Sequence, residues 1–185
     1  MPKSMNTSHT QSDERRVVIT GMGMLSSLGI GTEAFWQKLS AGESGIGPIQ
    51  WLSHSAAPQN MGGEVWGFDL KEARKTYLSL QKRTVRLMCR EIQLGVASAN
   101  LAVDHAQLDT KELRRDRFGV EFGANLMLSP PDVLMDSCWK CVEPDDPTRE
   151  FHHQKWGSMG GNEDRPNGMQ ELEPLWLLKY LPNMP

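Results

Sequence analysis

Arg15-Arg16-Val17-Val18-Ile19-Thr20-Gly21-Met22-Gly23-Met24-Leu25-Ser26 is the stretch on which the reading of this chain turns. Three β-branched apolar residues run together, and glycines follow them. A continuous apolar run of that kind suits a strand buried on both faces, as in a parallel sheet. Glycines after a strand let the backbone turn tightly or lie close against another segment. The same pattern raises a nucleotide-binding turn as a rival. That fingerprint needs a third glycine three residues on and a helix opening directly from the turn. Ser26 stands where the third glycine should be, so the glycines read as packing residues.

Working outward, Thr32 is placed to cap a helix over 33–39, with Glu33 in its first turn and Gly42 to end it. A glycine- and proline-bearing loop follows over 43–50. Residues 51–75 show no clear period, and Trp51, Trp66 and Phe68 suggest only that parts of this stretch pack down. The strongest helical pattern runs over 81–104. Val85, Met88, Cys89, Ile92, Val96, Ala99 and Val103 recur at steps of three and four. Lys82, Arg83, Arg86 and Arg90 crowd its first half and predict one charged edge. Phe118, Val120, Phe122 and Ala124 alternate and predict a second strand over 117–125. After Pro130-Pro131, residues 133–141 suit a short helix, 143–168 a long surface loop, and 173–185 an apolar segment.

The bulk numbers exclude more than they assign. The 185 residues include 38% hydrophobic and 23% charged residues and carry a net charge of −3. That is ordinary for a globular protein and gives no strong field to attract nucleic acid or an anionic membrane. No run approaches the roughly 20 apolar residues that span a bilayer. Residues 1–14 are polar throughout, lack the character of a secretory or transit segment, and read as a disordered tail ahead of one domain over 15–185. The cysteines, Cys89, Cys138 and Cys141, are too few and too odd in number for a disulfide framework and fit a reducing, cytoplasmic setting. Cys138-Trp139-Lys140-Cys141 with His152-His153 offers four potential zinc ligands. The histidines are adjacent and no second CxxC exists, so no metal site is assigned. The proline pair before that CxxC also counts against a thioredoxin-like redox motif.

The segment Arg16 to Ser26, followed by Thr32 to Gly47 (TEAFWQKLSAGESGIG), closely resembles the opening of the elongating β-ketoacyl-acyl-carrier-protein synthases. That family opens with RRVVITGxGxxSxxG and a short helix ending in LxxGxSGI. Gly21, Gly23, Ser26, Gly29, Leu39, Gly42, Ser44, Gly45 and Ile46 supply each anchor. Further along, the Ala97–Ala102 helix, Arg117-Phe118-Gly119-Val120 and Leu181-Pro182-Asn183-Met184 resemble later family segments in order. The resemblance implies an α/β fold, the incomplete N-terminal half of a thiolase-like fold with a layered sheet and helices, in a parent that pairs as a homodimer or heterodimer. It implies a decarboxylating Claisen condensation, in which an acyl thioester on a Cys is attacked by the carbanion from malonyl carrier protein while two His stabilise enolate charge. The partners so implied are an acyl carrier protein and an acyl thioester of fatty-acid or polyketide synthesis, with no cofactor.

In that family the nucleophilic Cys and both His lie beyond the Asn-Met segment. No catalytic residue is therefore assigned among these 185, and the fragment is expected to be inactive alone. Leu126 and Met184 match positions that line the acyl pocket or the subunit interface. The family's glycine-rich run is Ala124-Asn125-Leu126-Met127-Leu128 here, and the missing glycines keep open a second reading, a non-catalytic partner subunit like the chain-length factors. The basic cluster 82–90 suggests electrostatic attraction to an acidic carrier, against the plainer reading of a solvated helix edge.

Overall fold

The structure, a computed structural model, describes residues 16–50, 60–123, 129–145, 147–157 and 167–181. Helices and small sheets alternate along it. Leu25–Ser26 (β1) and Gly29–Ile30 (β2) form a tight antiparallel hairpin, and Ile46–Pro48 (β3) pairs antiparallel with Met61–Gly63 (β4). Between them runs Thr32–Ser40 (α1). Thr32 is the first helical residue rather than the cap. The cap is Gly31, at φ 94 and ψ 151, a backbone region that side chains disfavour, and no side chain satisfies the first amides.

The stretch without a clear period contains a second helix, Leu70–Thr76 (α2). Asp69 caps it, its Oδ1 accepting from the amides of Lys71 and Glu72 at 2.9 and 3.0 Å. The long helical pattern divides. Ser79–Gln81 and Val85–Leu87 are 3₁₀ turns, Met88 and Cys89 are extended, and the continuous helix is Arg90–His105 (α3). A 3₁₀ turn repeats its facing every third residue, so apolar spacings such as 85 to 88 fit it as well as an α-helix.

Two expected strands are not strands. Residues 16–24 carry no ladder, and Val17, Val18 and Ile19 stand 96%, 72% and 83% exposed. In the described part of the second, Arg117 ends a 3₁₀ turn, Arg115–Arg117, and residues 118–123 carry no ladder, with Val120 80% exposed. β-branched residues favour an extended backbone, but a two-sided buried strand also requires neighbours for its amides and layers over both faces. Among the described residues the sheets are the two antiparallel hairpins, and no layered parallel sheet is present.

The core gathers where α2, the 3₁₀ turns and α3 meet. Phe68, Ala73, Leu78, Val85 and Ala97 are buried there, with Leu25, Ile30, Val65, Tyr77, Met88, Leu94 and Val96 packed around them. The Phe68 and Tyr77 rings stack with centroids 5.8 Å apart. A second, smaller unit comprises Pro131–Trp139 (α4), Gln154–Gly157 (α5) and a 3₁₀ turn at Gly168–Glu171, whereas Trp176–Lys179 (α6) lies against the Val85–Leu87 turn of the main core. Pro131 occupies the first turn of α4, where its missing amide costs nothing. Thus the proline pair opens a helix, and the short helix expected over 133–141 starts earlier and ends at Trp139. Within the stretch expected to be loop, Val142 bridges Phe151 and α5 adds one helical turn.

Candidate functional site

The long helix α3 is the platform on which the sequence's signature segment is mounted. A Cβ on Gly21 would lie 2.3 Å from the Ala102 carbonyl oxygen, and one on Gly23 would lie 2.0 Å from that of Ser98. Only a residue without a side chain can bring the backbone that close to a helix. Ser98 Oγ donates to the Gly23 carbonyl at 2.7 Å, and the Met22 amide donates to His105 Nδ1 at 3.0 Å. His105 thus serves the signature segment as a hydrogen-bond acceptor through Nδ1. The Phe122 ring occupies the space beside Gly95 where a side chain would stand. Two extended segments, distant in sequence, are thus both seated on one helix.

Beside this platform α2 presents basic charge. Leu70, Lys71, Arg74, Lys75 and Lys82 line a shallow concavity of about 480 Å³. Lys71, Arg74 and Lys75 fall at steps of three and four on one helical face, which explains their convergence. Arg74 Nη2 donates to the Lys82 carbonyl at 3.2 Å, tying the helix to the following turn. Among the described residues no carboxylate lines the concavity. Asp69 is committed to the helix cap and Glu72 accepts from Thr76 Oγ1. A second hollow of about 360 Å³, bordered by Tyr77, Leu80, Asn100, Leu101 and Asp104, lies between the 3₁₀ turn and α3. Asn100 Nδ2 donates across it to the Tyr77 carbonyl at 2.7 Å.

The basic cluster read from the sequence is redistributed. Lys82 joins the concavity and Arg83 and Arg86 are exposed, whereas Arg90 turns inward. Its guanidinium stands 5.4 Å from the Phe68 ring centroid and donates to the Phe68 carbonyl at 2.8 Å. Desolvation lowers its pKa, and the nearby carboxylates of Glu64 and Glu91 oppose that fall. Arg90 is a packing residue, so the expected single charged edge does not form. The residues the sequence reading missed are Lys71, Arg74 and Lys75. Their signal was the Asp69-x-x-Glu72 helix start followed by cations at helical spacing. Leu126 and Met184 lie outside the described residues, as do Pro182 and Asn183.

The cysteines do not resemble nucleophiles. Cys89 and Cys141 are buried, and desolvation raises both thiol pKa values, which disfavours the reactive thiolate. Among the described residues no group of three or more His, Cys, Asp or Glu side chains is arranged to hold a metal ion. Nor is any described helix long and apolar enough to cross a membrane.

Comparison with known proteins adds what the geometry alone cannot. The family described as "Beta-ketoacyl synthase, N-terminal domain" matches residues 14–158, a span that includes the glycine segment, α1, the basic concavity and all of α3. The chain belongs to this family. Among curated relatives, the 3-oxoacyl-[acyl-carrier-protein] synthase 2 of Vibrio cholerae is 37% identical over 113 residues, 61% of this chain and 26% of that protein. The proteins of the same name from Synechocystis sp. and Coxiella burnetii are 32% and 34% identical over 114 residues, in each case 62% of this chain and 26% of theirs. The chain therefore spans about a quarter of the length of the curated relatives it matches. As a member of the β-ketoacyl synthase family, it carries the glycine signature in a contact with α3 that the signature's two glycines make possible.

Proposed function

We propose that this β-ketoacyl synthase domain serves a protein that condenses an acyl thioester with malonyl carrier protein, with loss of carbon dioxide, in fatty-acid or polyketide synthesis. The family match over 14–158 carries the reading. In this reading the chain supplies scaffold and carrier-facing surface and no catalytic group. The buried, pKa-raised Cys89 and Cys141 are unsuited to thioester exchange. Acyl carrier protein is the proposed partner, and the Lys71–Arg74–Lys75–Lys82 concavity is the surface offered to its acidic face. Leu126 and Met184 are proposed to line the acyl pocket or subunit interface of the assembled, dimeric protein.

The test uses purified acyl carrier protein. Binding to this chain should weaken steeply as salt rises, because clustered cations lose their long-range attraction to screening. Reversing Lys71, Arg74 and Lys75 to Glu should weaken binding at low salt by tenfold or more. Incubation with acyl-loaded carrier should leave the chain's mass unchanged. A transferred acyl group would overturn the proposed inactivity, and salt-insensitive binding would overturn the docking surface.

The second reading, a non-catalytic pocket-shaping subunit, is favoured by the absence of glycine from residues 124–128. It requires that this chain enhance or redirect a separate condensing enzyme. A change in product length when the two are mixed would support it over the first.

A further inference from the structure

The C-terminal end of α3 borders a hollow that condensation does not use. The helix closes there on a backbone motif. The Gln107 amide donates to the Asp104 carbonyl at 3.0 Å and the Leu108 amide to the Val103 carbonyl at 3.2 Å, with Gln107 left-handed at φ 53. This closure usually takes a glycine at the left-handed position, and it folds the residue after it back toward the last turn. Leu108 therefore returns toward Val103, and both border the hollow of about 360 Å³ beside the Ser79–Gln81 turn. Leu80 and Leu101 complete its apolar wall.

The polar groups of the hollow suit a ligand that donates. Asn100 and Asp104 stand one turn apart on α3 and so share a face. Asn100 Nδ2 has both protons committed, to the Tyr77 carbonyl at 2.7 Å and to Gln81 Oε1 at 3.3 Å. That fixes the amide and leaves its Oδ1 as an acceptor with no partner among the described residues. The exposed Asp104 carboxylate likewise makes no hydrogen bond or ion pair among the described residues. It sits in the last turn of α3, at the negative end of the helix dipole, so its charge works against the helix. Among the described residues no Lys, Arg or His lines the hollow, while Thr76, Ser79 and Thr110 bring hydroxyls that can accept as well as donate.

We propose that this hollow binds a primary alkylammonium ion. Such an ion carries one positive charge and three N–H donors on an apolar chain. Asp104 meets the charge, Asn100 Oδ1 accepts a second proton, and the carbonyl end of α3 adds negative potential. The alkyl chain lies along Leu80, Leu101, Val103 and Leu108. The bound cation offsets the repulsion between Asp104 and the helix end, whereas an anion would add to it. The hollow therefore selects the charge opposite to that taken by the Lys71–Arg74–Lys75 concavity on α2. A lysine side chain ends in the same group, so the ligand's source is either a free amine or a peptide lysine.

The experiment titrates the full chain with n-butylammonium chloride, followed by amide chemical shifts. Saturable shifts at Tyr77, Asn100, Leu101 and Asp104 are expected, and the affinity should fall as sodium chloride rises. n-Butanol, with the same chain and no charge, should bind about tenfold more weakly, and butyrate should leave these amides unmoved. Asp104→Asn should weaken butylammonium binding by about tenfold or more. Its thermal midpoint should stay level or rise, because the carboxylate no longer opposes the helix end. A blocked lysine amide that binds more tightly than butylammonium makes the ligand a peptide lysine, and weaker binding makes it a free amine. Butanol binding as tightly as butylammonium, butyrate binding at the same amides, unchanged affinity in Asp104→Asn, or a lowered midpoint in that variant would each overturn the proposal. The comparison of butylammonium with butanol on the unaltered chain decides the matter even if Asp104→Asn does not fold.

Discussion

The α2–α3 core and the α4–Gly168 unit are sealed in opposite ways. The first buries whole apolar side chains, Phe68, Leu78 and Val85 among them, and closes a half-buried cation, Arg90, against an aromatic ring. The second buries small groups: Ser137, Cys141 and Gly168. Its Ser137 Oγ is buried with no hydrogen-bond partner among the described residues. Hydrophobic stabilisation grows with apolar area, so the first unit is held by volume and the second by close fit around a sulfur and an absent side chain. A unit of the second kind has little apolar area to lose and is sensitive to a single added or removed atom.

The largest expected effect lies in the volume-sealed core. Leu78 is 0% exposed, and Leu78→Ala should lower unfolding free energy by about 3–4 kcal/mol, read from denaturant midpoints at unchanged slope. Gly23→Ala follows at about 3 kcal/mol, because the added carbon would meet helix backbone, which cannot swing aside. It should also free the Gly21–Gly23 segment from α3, seen as faster amide exchange near Met22. Gly168→Ala tests the other unit. The new Cβ would lie 2.7 Å from the Ser137 carbonyl oxygen and crowd Cys141 Sγ, at a cost of about 2 kcal/mol confined to α4 and its partner turn. If Gly168→Ala proved as costly to the α2–α3 core as Leu78→Ala, the two units would be one cooperative body and the contrast would fail. Asp69→Ala, which removes a cap accepting two amides, should cost about 1 kcal/mol and fray α2 alone.

The smallest effect is alkaline. Burial raises the Cys89 and Cys141 thiols, one in each unit. A thiol whose folded pKa exceeds its unfolded value contributes stability that is complete below the unfolded value and lost as pH climbs through the folded one. Thermal midpoints should therefore fall as pH passes above the ordinary thiol range, and Cys89→Ala should flatten the loss in the larger unit only. Equal flattening of both units by that one substitution would again join what the packing separates.

Local chemistry made much of this legible. Thr32 to Leu39 carried its acidic first turn and Gly42 stop, and α1 formed within one residue at each end. The apolar steps through Ile92 and Val96 placed α3, though Ala97 rather than Ala99 is the residue that is buried. The glycine signature pointed to close backbone approach, and Gly21 and Gly23 make that approach to α3. The family itself was readable from those residues, because an anchor such as Gly23 is demanded by a contact no other residue tolerates. What escaped was α2, whose seven residues are too short for a period to declare itself, and with it the basic concavity.

The sequence by itself determined α1, the continuous part of α3 and the family, since capping, glycine geometry and apolar spacing act within a few residues along the chain. The tertiary structure alone decided whether Val17–Ile19 and Phe118–Phe122 become strands, which of four cations turns inward, and which thiol is buried. Each of those outcomes depends on a partner far away in sequence: a neighbouring strand, the Phe68 ring, the Gly168 turn. No local pattern specifies whether that partner arrives.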